Sequence, residues 1–237
     1  MILRVFLLST AALLSCARTA TAPELEPLGD ADVTVLFVGN SLTAWNDLPG
    51  MVGSIADAAG RSYEYRSVLR PNYGLQDHWA SGIEGVIRSL APDVVVLQQG
   101  PSSVGDNPLN LRTWSERIGA VVLETGGTPA LLMVWPEATR LGAFDAVRDS
   151  YAAAAAATNG LFIPAGDAWR QVWALDPTVS LYGPDGFHPS QTGSFVAALT
   201  VFSVLFDEDV RDLPPLGVGS ADEGLLREAV FAAVSSR

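Results

Sequence analysis

Val33-Thr34-Val35-Leu36-Phe37-Val38-Gly39-Asn40-Ser41-Leu42-Thr43 decides how this chain folds. Residues 33–38 are β-branched, aromatic or leucine and carry no charge. Such a run lacks the alternation of a half-exposed strand and predicts a strand buried on both faces, inside a parallel sheet. It stops at Gly-Asn-Ser, a turn signal, and apolar residues recur at helical spacing from Leu48 onward. A serine at the carboxyl end of a buried strand sits where open α/β sheets put their ligands. It is also a residue type that caps the following helix.

Outward from this stretch the same alternation repeats. Residues 62–69 predict a second strand, 93–98 a third, 130–135 a fourth and 161–164 a short fifth. Between them, helical spacing links Ile83, Val86, Ile87 and Leu90, and then Leu111, Trp114, Ile118, Val121 and Val122. The alanine run 152–157 is strong helix former, and helices are also predicted around Trp169, Val172 and Trp173, over 195–206 and over about 222–235. No repeat and no mid-chain linker interrupts the pattern. It predicts one α/β domain over residues 33–237, with a parallel five-stranded sheet between two helical layers.

Composition narrows the chemistry. The chain has 237 residues, enough for one such domain and a sizeable core. All 14 basic residues are arginine, so Schiff-base chemistry, a lysine general base and a P-loop lysine are excluded together. The net charge of -12 argues against nucleic acid and against adhesion to anionic lipid. Two distant histidines and a single cysteine supply no zinc ligand set, and no carboxylate spacing fits a calcium loop. No cofactor is expected.

Residues 1–16 read as a signal peptide, with Arg4 before a short apolar run that ends Leu13-Leu14-Ser15-Cys16. That ending resembles a bacterial lipobox, which makes Cys16 a lipidation site and the chain an exported, envelope-anchored protein, touching membrane only through that anchor. An ordinary signal peptide with an incidental cysteine is the alternative. Residues 17–32, with two prolines and several acidic side chains, predict a flexible tether.

Far downstream stands Asp185-Gly186-Phe187-His188-Pro189. A serine hydroxyl is a weak nucleophile until a base takes its proton, and only His188 and His78 are available. Three residues apart in a short turn, Asp185 and His188 can bring carboxylate and imidazole together; the same residues also suit a plain β-turn and helix start. Gly39-Asn40-Ser41 and Asp185-x-x-His188-Pro189, in this order and spacing, resemble the two terminal blocks of the SGNH (GDSL-like) hydrolase superfamily of esterases and lipases. An α/β-hydrolase elbow fits less well, because Gly-x-Ser-x-Gly would need glycine where Thr43 stands.

The resemblance implies a flavodoxin-like strand order of 2-1-3-4-5 and a triad of Ser41, His188 and Asp185. It also implies an oxyanion hole from the N–H groups of Ser41 and Gly74 and a third donor after strand three. That third donor is an asparagine in the family. Strict alignment puts Ser102 there, while chemistry favours a side-chain amide of Gln98 or Gln99. Trp45, His78 and Trp79 follow the glycine-bearing segments closely and are expected to border the cleft and bind substrate, although packing would explain the tryptophans as well. The implied activity is hydrolysis of carboxylic esters, with small-molecule or carbohydrate acetyl esters as substrate. Acyl transfer on the same triad and non-catalytic carbohydrate binding on a hydrolase scaffold are the rivals.

Overall fold

The computed structural model describes residues 25–217 and 222–237. The signal peptide, Cys16 and residues 17–24 of the expected tether lie outside them. Five strands run β1 (Val33–Gly39), β2 (Tyr63–Leu69), β3 (Val94–Leu97), β4 (Thr128–Leu132) and β5 (Leu161–Ile163). They form one parallel sheet ordered β2-β1-β3-β4-β5, the order the resemblance implied. In β1, Val35 to Val38 are essentially inaccessible, as their uninterrupted apolarity requires.

The helices are α1 (Ser41–Ala44), α2 (Leu48–Ala58), α3 (Leu75–Ala80), α4 (Ile83–Leu90), α5 (Asn107–Glu124), α6 (Phe144–Ala157), α7 (Ala165–Leu175), α8 (Gln191–Phe206) and α9 (Glu223–Ser235). Packing sorts them into two layers, α2, α7, α8 and α9 in one and α3, α4, α5 and α6 in the other. Helix α8 is apolar nearly all round because α2, α7 and α9 enclose it. The chain is thus α/β with a single three-layer, flavodoxin-like domain. No described helix is long and apolar enough to cross a membrane.

Two expectations shift. The fourth strand was expected to reach residue 135, but pairing ends at Leu132, because β3 stops at Leu97 opposite Leu131. Met133 to Trp135 continue buried above the sheet, with Met133 N–H still donating to Ile163 O. Residues 25–32, expected as tether, lie along β2. Arg66 donates to the carbonyls of Glu26 and Pro27, and Leu25 packs on the core.

Candidate active site

The turn after β1 is built so that Ser41 Oγ stays free. Asn40, not Ser41, caps α1, its Oδ1 accepting from Leu42 N–H at 3.1 Å. Ser41 is therefore the first helical residue, and its own N–H makes no hydrogen bond among the described residues. Below the turn, Gln98 is fully buried at the end of β3. Its Oε1 accepts from Asn40 N–H at 2.9 Å and Thr43 Oγ1 at 2.8 Å, while its Nε2 donates to Asn40 Oδ1 and Gln99 O. A backbone N–H can only donate, so the amide orientation is forced. Gly39 must be glycine here, since a Cβ would stand 2.5 Å from Gln98 Oε1.

The loop between α7 and α8 delivers the second half. His188 Nε2 lies 2.9 Å from Ser41 Oγ, and His188 Nδ1 lies 2.6 Å from Asp185 Oδ2. Asp185 Oδ1 accepts from the backbone N–H of Phe187 and His188 at 3.0 and 2.9 Å. The bond from His188, helped by the Phe187 N–H, holds the Asp185 carboxyl down at about 2. Asp185 can only accept, so Nδ1 carries a proton and the Nε2 lone pair faces the serine hydroxyl.

Tryptophans hold this loop in place. Trp135 and Trp169 stack at 3.7 Å in the core; Trp135 Nε1 donates to Phe187 O and Trp169 Nε1 to Gly193 O. Both are fully buried and structural. Trp45 is different: 46% exposed, it stacks on the His188 ring at 4.2 Å and 22°. Its neighbour Asn46 locks that arrangement by donating to Pro189 O and Ser194 Oγ.

Beside Ser41 opens a cleft of about 380 Å³, lined by Asn40, Asn72, Gly74, Gln99, Arg140 and Phe187 among others. Several expected site residues do not reach it as foreseen. Gln98 cannot donate into it, because both hydrogens of its amide are already engaged below the turn. Gln99 does line it; its Oε1 accepts from Leu75 N–H, and its Nε2 donates to Ser102 Oγ at 2.8 Å, which leaves one Nε2 hydrogen. The Ser102 hydroxyl is turned away to Gly100 O. Gly74 lines the cleft, but its N–H donates to Asp77 Oδ2 at 2.9 Å.

His78 and Trp79 are not cleft residues. Leu75 and His78 share the inward face of α3, so His78 is buried, donating from Nε2 to Gly39 O at 2.8 Å. Burial pushes its pKa below 6.5 and keeps it neutral, with Nδ1 unpartnered. Trp79 points at α5, where it meets Trp114 and the Arg117 guanidinium. Sequence reasoning missed Arg140, Glu137 and Asn72, which carry no motif, and Asp77, whose spacing from Gly74 is a readable capping signal. No three described His, Cys, Asp or Glu side chains cluster as metal ligands.

No family model matches the chain, and no curated protein does either. Solved structures do. A protein from Slackia heliotrinireducens described as a candidate SGNH hydrolase is 25% identical, with a TM-score of 0.62 over 73% of this chain and 98% of its own. A DUF4886 family protein from Bacteroides uniformis is 18% identical, with a TM-score of 0.72 over 86% and 95%. A catalytic mutant of an acetylxylan esterase from Geobacillus stearothermophilus is 16% identical, with a TM-score of 0.53 over 80% and 96%. The fold is that of the SGNH (GDSL-like) hydrolases.

Proposed function

We propose that the chain is a serine hydrolase of carboxylic esters, with Ser41 as nucleophile, His188 as general base and Asp185 as its orienting carboxylate. The observation that carries this reading is the continuous hydrogen-bonded series Asp185–His188–Ser41, ending on a hydroxyl that opens into a cleft. In the first step Ser41 Oγ attacks the ester carbonyl carbon and its proton passes to His188 Nε2. Asp185 stays ionised and stabilises the imidazolium without taking its proton. The tetrahedral oxyanion is held by Ser41 N–H and the remaining Nε2–H of Gln99. Collapse expels the alcohol, which takes the proton from His188. Water then attacks the acyl-Ser41 carbonyl, with His188 again as base, and releases the acid. Gly74 N–H joins the hole only if the oxyanion displaces the Asp77 carboxylate.

The cleft is polar, with four asparagines on its wall, which suits a hydroxylated substrate better than a long acyl chain. Acetyl esters of carbohydrates are therefore the proposed substrate class, supported by the likeness to an acetylxylan esterase. The test is turnover of a generic acetyl ester with and without a sugar acceptor, together with fluorophosphonate labelling. Label on Ser41 and acetate release are expected, both lost in Ser41→Ala; label elsewhere with activity intact in that variant would end the reading. Export with lipid on Cys16 is proposed alongside it. Radiolabelled palmitate should enter the wild-type chain and not Cys16→Ser, whereas an unmodified mature chain would point to an ordinary signal peptide.

A further inference from the structure

Arg140 is the one cation on the wall of the Ser41 cleft among the described residues. It lies in the 3-10 segment Ala138–Ala143, where its own backbone (φ -132, ψ 34) breaks the helical path. That segment is pinned to the triad loop, since Ala138 N–H donates to Gly186 O at 2.8 Å. The backbone that carries Arg140 is therefore anchored to the loop of Asp185 and His188.

The bonding of the Arg140 guanidinium is looser than that of several arginines outside the cleft. Arg88, Arg148 and Arg170 each bring a nitrogen within 2.7 Å of a carboxylate oxygen. Arg140 reaches Glu137 Oε2 only at 3.4 Å and Ser103 Oγ at 3.5 Å, beyond the 2.7–2.9 Å of a charge-assisted bond. Its donor fork is loosely engaged and borders open cleft.

We infer that Arg140 selects substrates bearing a carboxylate, so that the ester cleaved at Ser41 belongs to an acidic molecule such as a uronic acid derivative. The inference rests on the hydrolase reading and adds the charge of its substrate. A planar monoanion matches one guanidinium fork with two parallel bonds. A phosphate dianion does not suit the site, because Glu137 beside Arg140 and the net charge of -12 both oppose a second negative charge. The amides of Asn72 and Asn107 are left for hydroxyl groups, whereas Asn110 already donates to Gln76 Oε1 at 2.9 Å.

The test pairs 4-acetoxybenzoate with its methyl ester, substrates that differ in one charge. Wild type should show kcat/KM about tenfold or more higher for the carboxylate, the worth of one charge-assisted pair. In Arg140→Gln that ratio should collapse to about one, and in Arg140→Lys it should be partly kept. A wild-type ratio near one, or a ratio unchanged in Arg140→Gln, overturns the inference. Calorimetry with the product 4-hydroxybenzoate separates this from the parent reading. If neither ester turns over, the hydrolase proposal fails, yet binding weakened about tenfold in Arg140→Gln still supports an anion site. Binding that is absent or equal in both chains overturns it.

Discussion

Both histidines of the chain reach the turn after β1 with Nε2, His188 at 2.9 Å from Ser41 Oγ and His78 at 2.8 Å from Gly39 O. Around His188 the protein is polar and open, with a carboxylate on Nδ1 and an exposed indole on the ring face. Around His78 it is closed, and Nδ1 has no partner. One residue type thus plays two parts, set by what faces its second nitrogen. A carboxylate there fixes the tautomer that turns the Nε2 lone pair toward Ser41, whereas burial makes protonation of His78 costly.

The sharpest way to break this comparison is to exchange the roles by mutation. His188→Ala should lower kcat by about three or more orders of magnitude, as loss of a triad member does, while changing the melting temperature little. His78→Ala should instead cost stability, about 2–3 kcal/mol in denaturant unfolding, because it empties a buried site and leaves Gly39 O short of a donor. The reverse ranking would mean that the site has been misplaced.

The two glutamines after β3 sharpen the same contrast. Gln99→Ala should lose about 100- to 1,000-fold in kcat with KM little changed, the usual result of removing one oxyanion donor. Gln98→Ala should unfold at lower denaturant, because Asn40 N–H and the Thr43 hydroxyl lose their buried acceptor. Equal kcat losses in Gln99→Ala and Ser102→Ala would move the donor role to the serine.

Trp45 tests whether the environment of His188 includes its aromatic lid. On the proposed mechanism the indole face would stabilise the imidazolium formed during attack, so Trp45→Ala should lose about tenfold in kcat with KM almost unchanged. Trp45→Phe should restore most of that loss. A change confined to KM would make the ring a substrate contact instead.

The smallest effect lies in the pH dependence of stability. His78 has a folded pKa below its ordinary 6.5, so the unfolded chain takes up its proton first as pH falls. Its contribution is present above 6.5 and is lost on acidification below it. Melting temperature should therefore fall as pH drops from 7 through 6, and His78→Gln should flatten that slope. Asp185 acts in a separate window, its contribution being lost between the ordinary 3.8 and about 2. A slope unchanged in His78→Gln would show that His78 is not the titrating group.

The sequence by itself determined the five strands, their order through the family resemblance, and the candidate trio Ser41, Asp185 and His188. Those signals are local or short-range: an apolar run makes a buried strand wherever it lies, and a three-residue spacing in a turn brings carboxylate to imidazole. The direction of side chains across elements was not legible. Gln98 and Gln99 are adjacent and chemically identical, and only the packing of β1 against β3 turned one under the turn that carries Ser41 and left the other in the cleft. Likewise α3 was free, on sequence, to aim His78 and Trp79 at substrate, until the core claimed one and α5 the other. Arg140 belongs to no motif and gains its place because a long connection folds back onto the loop of Asp185 and His188. Tertiary structure decided these points because hydrogen-bond geometry depends on ångström-scale placement between distant segments, which residue type alone does not encode.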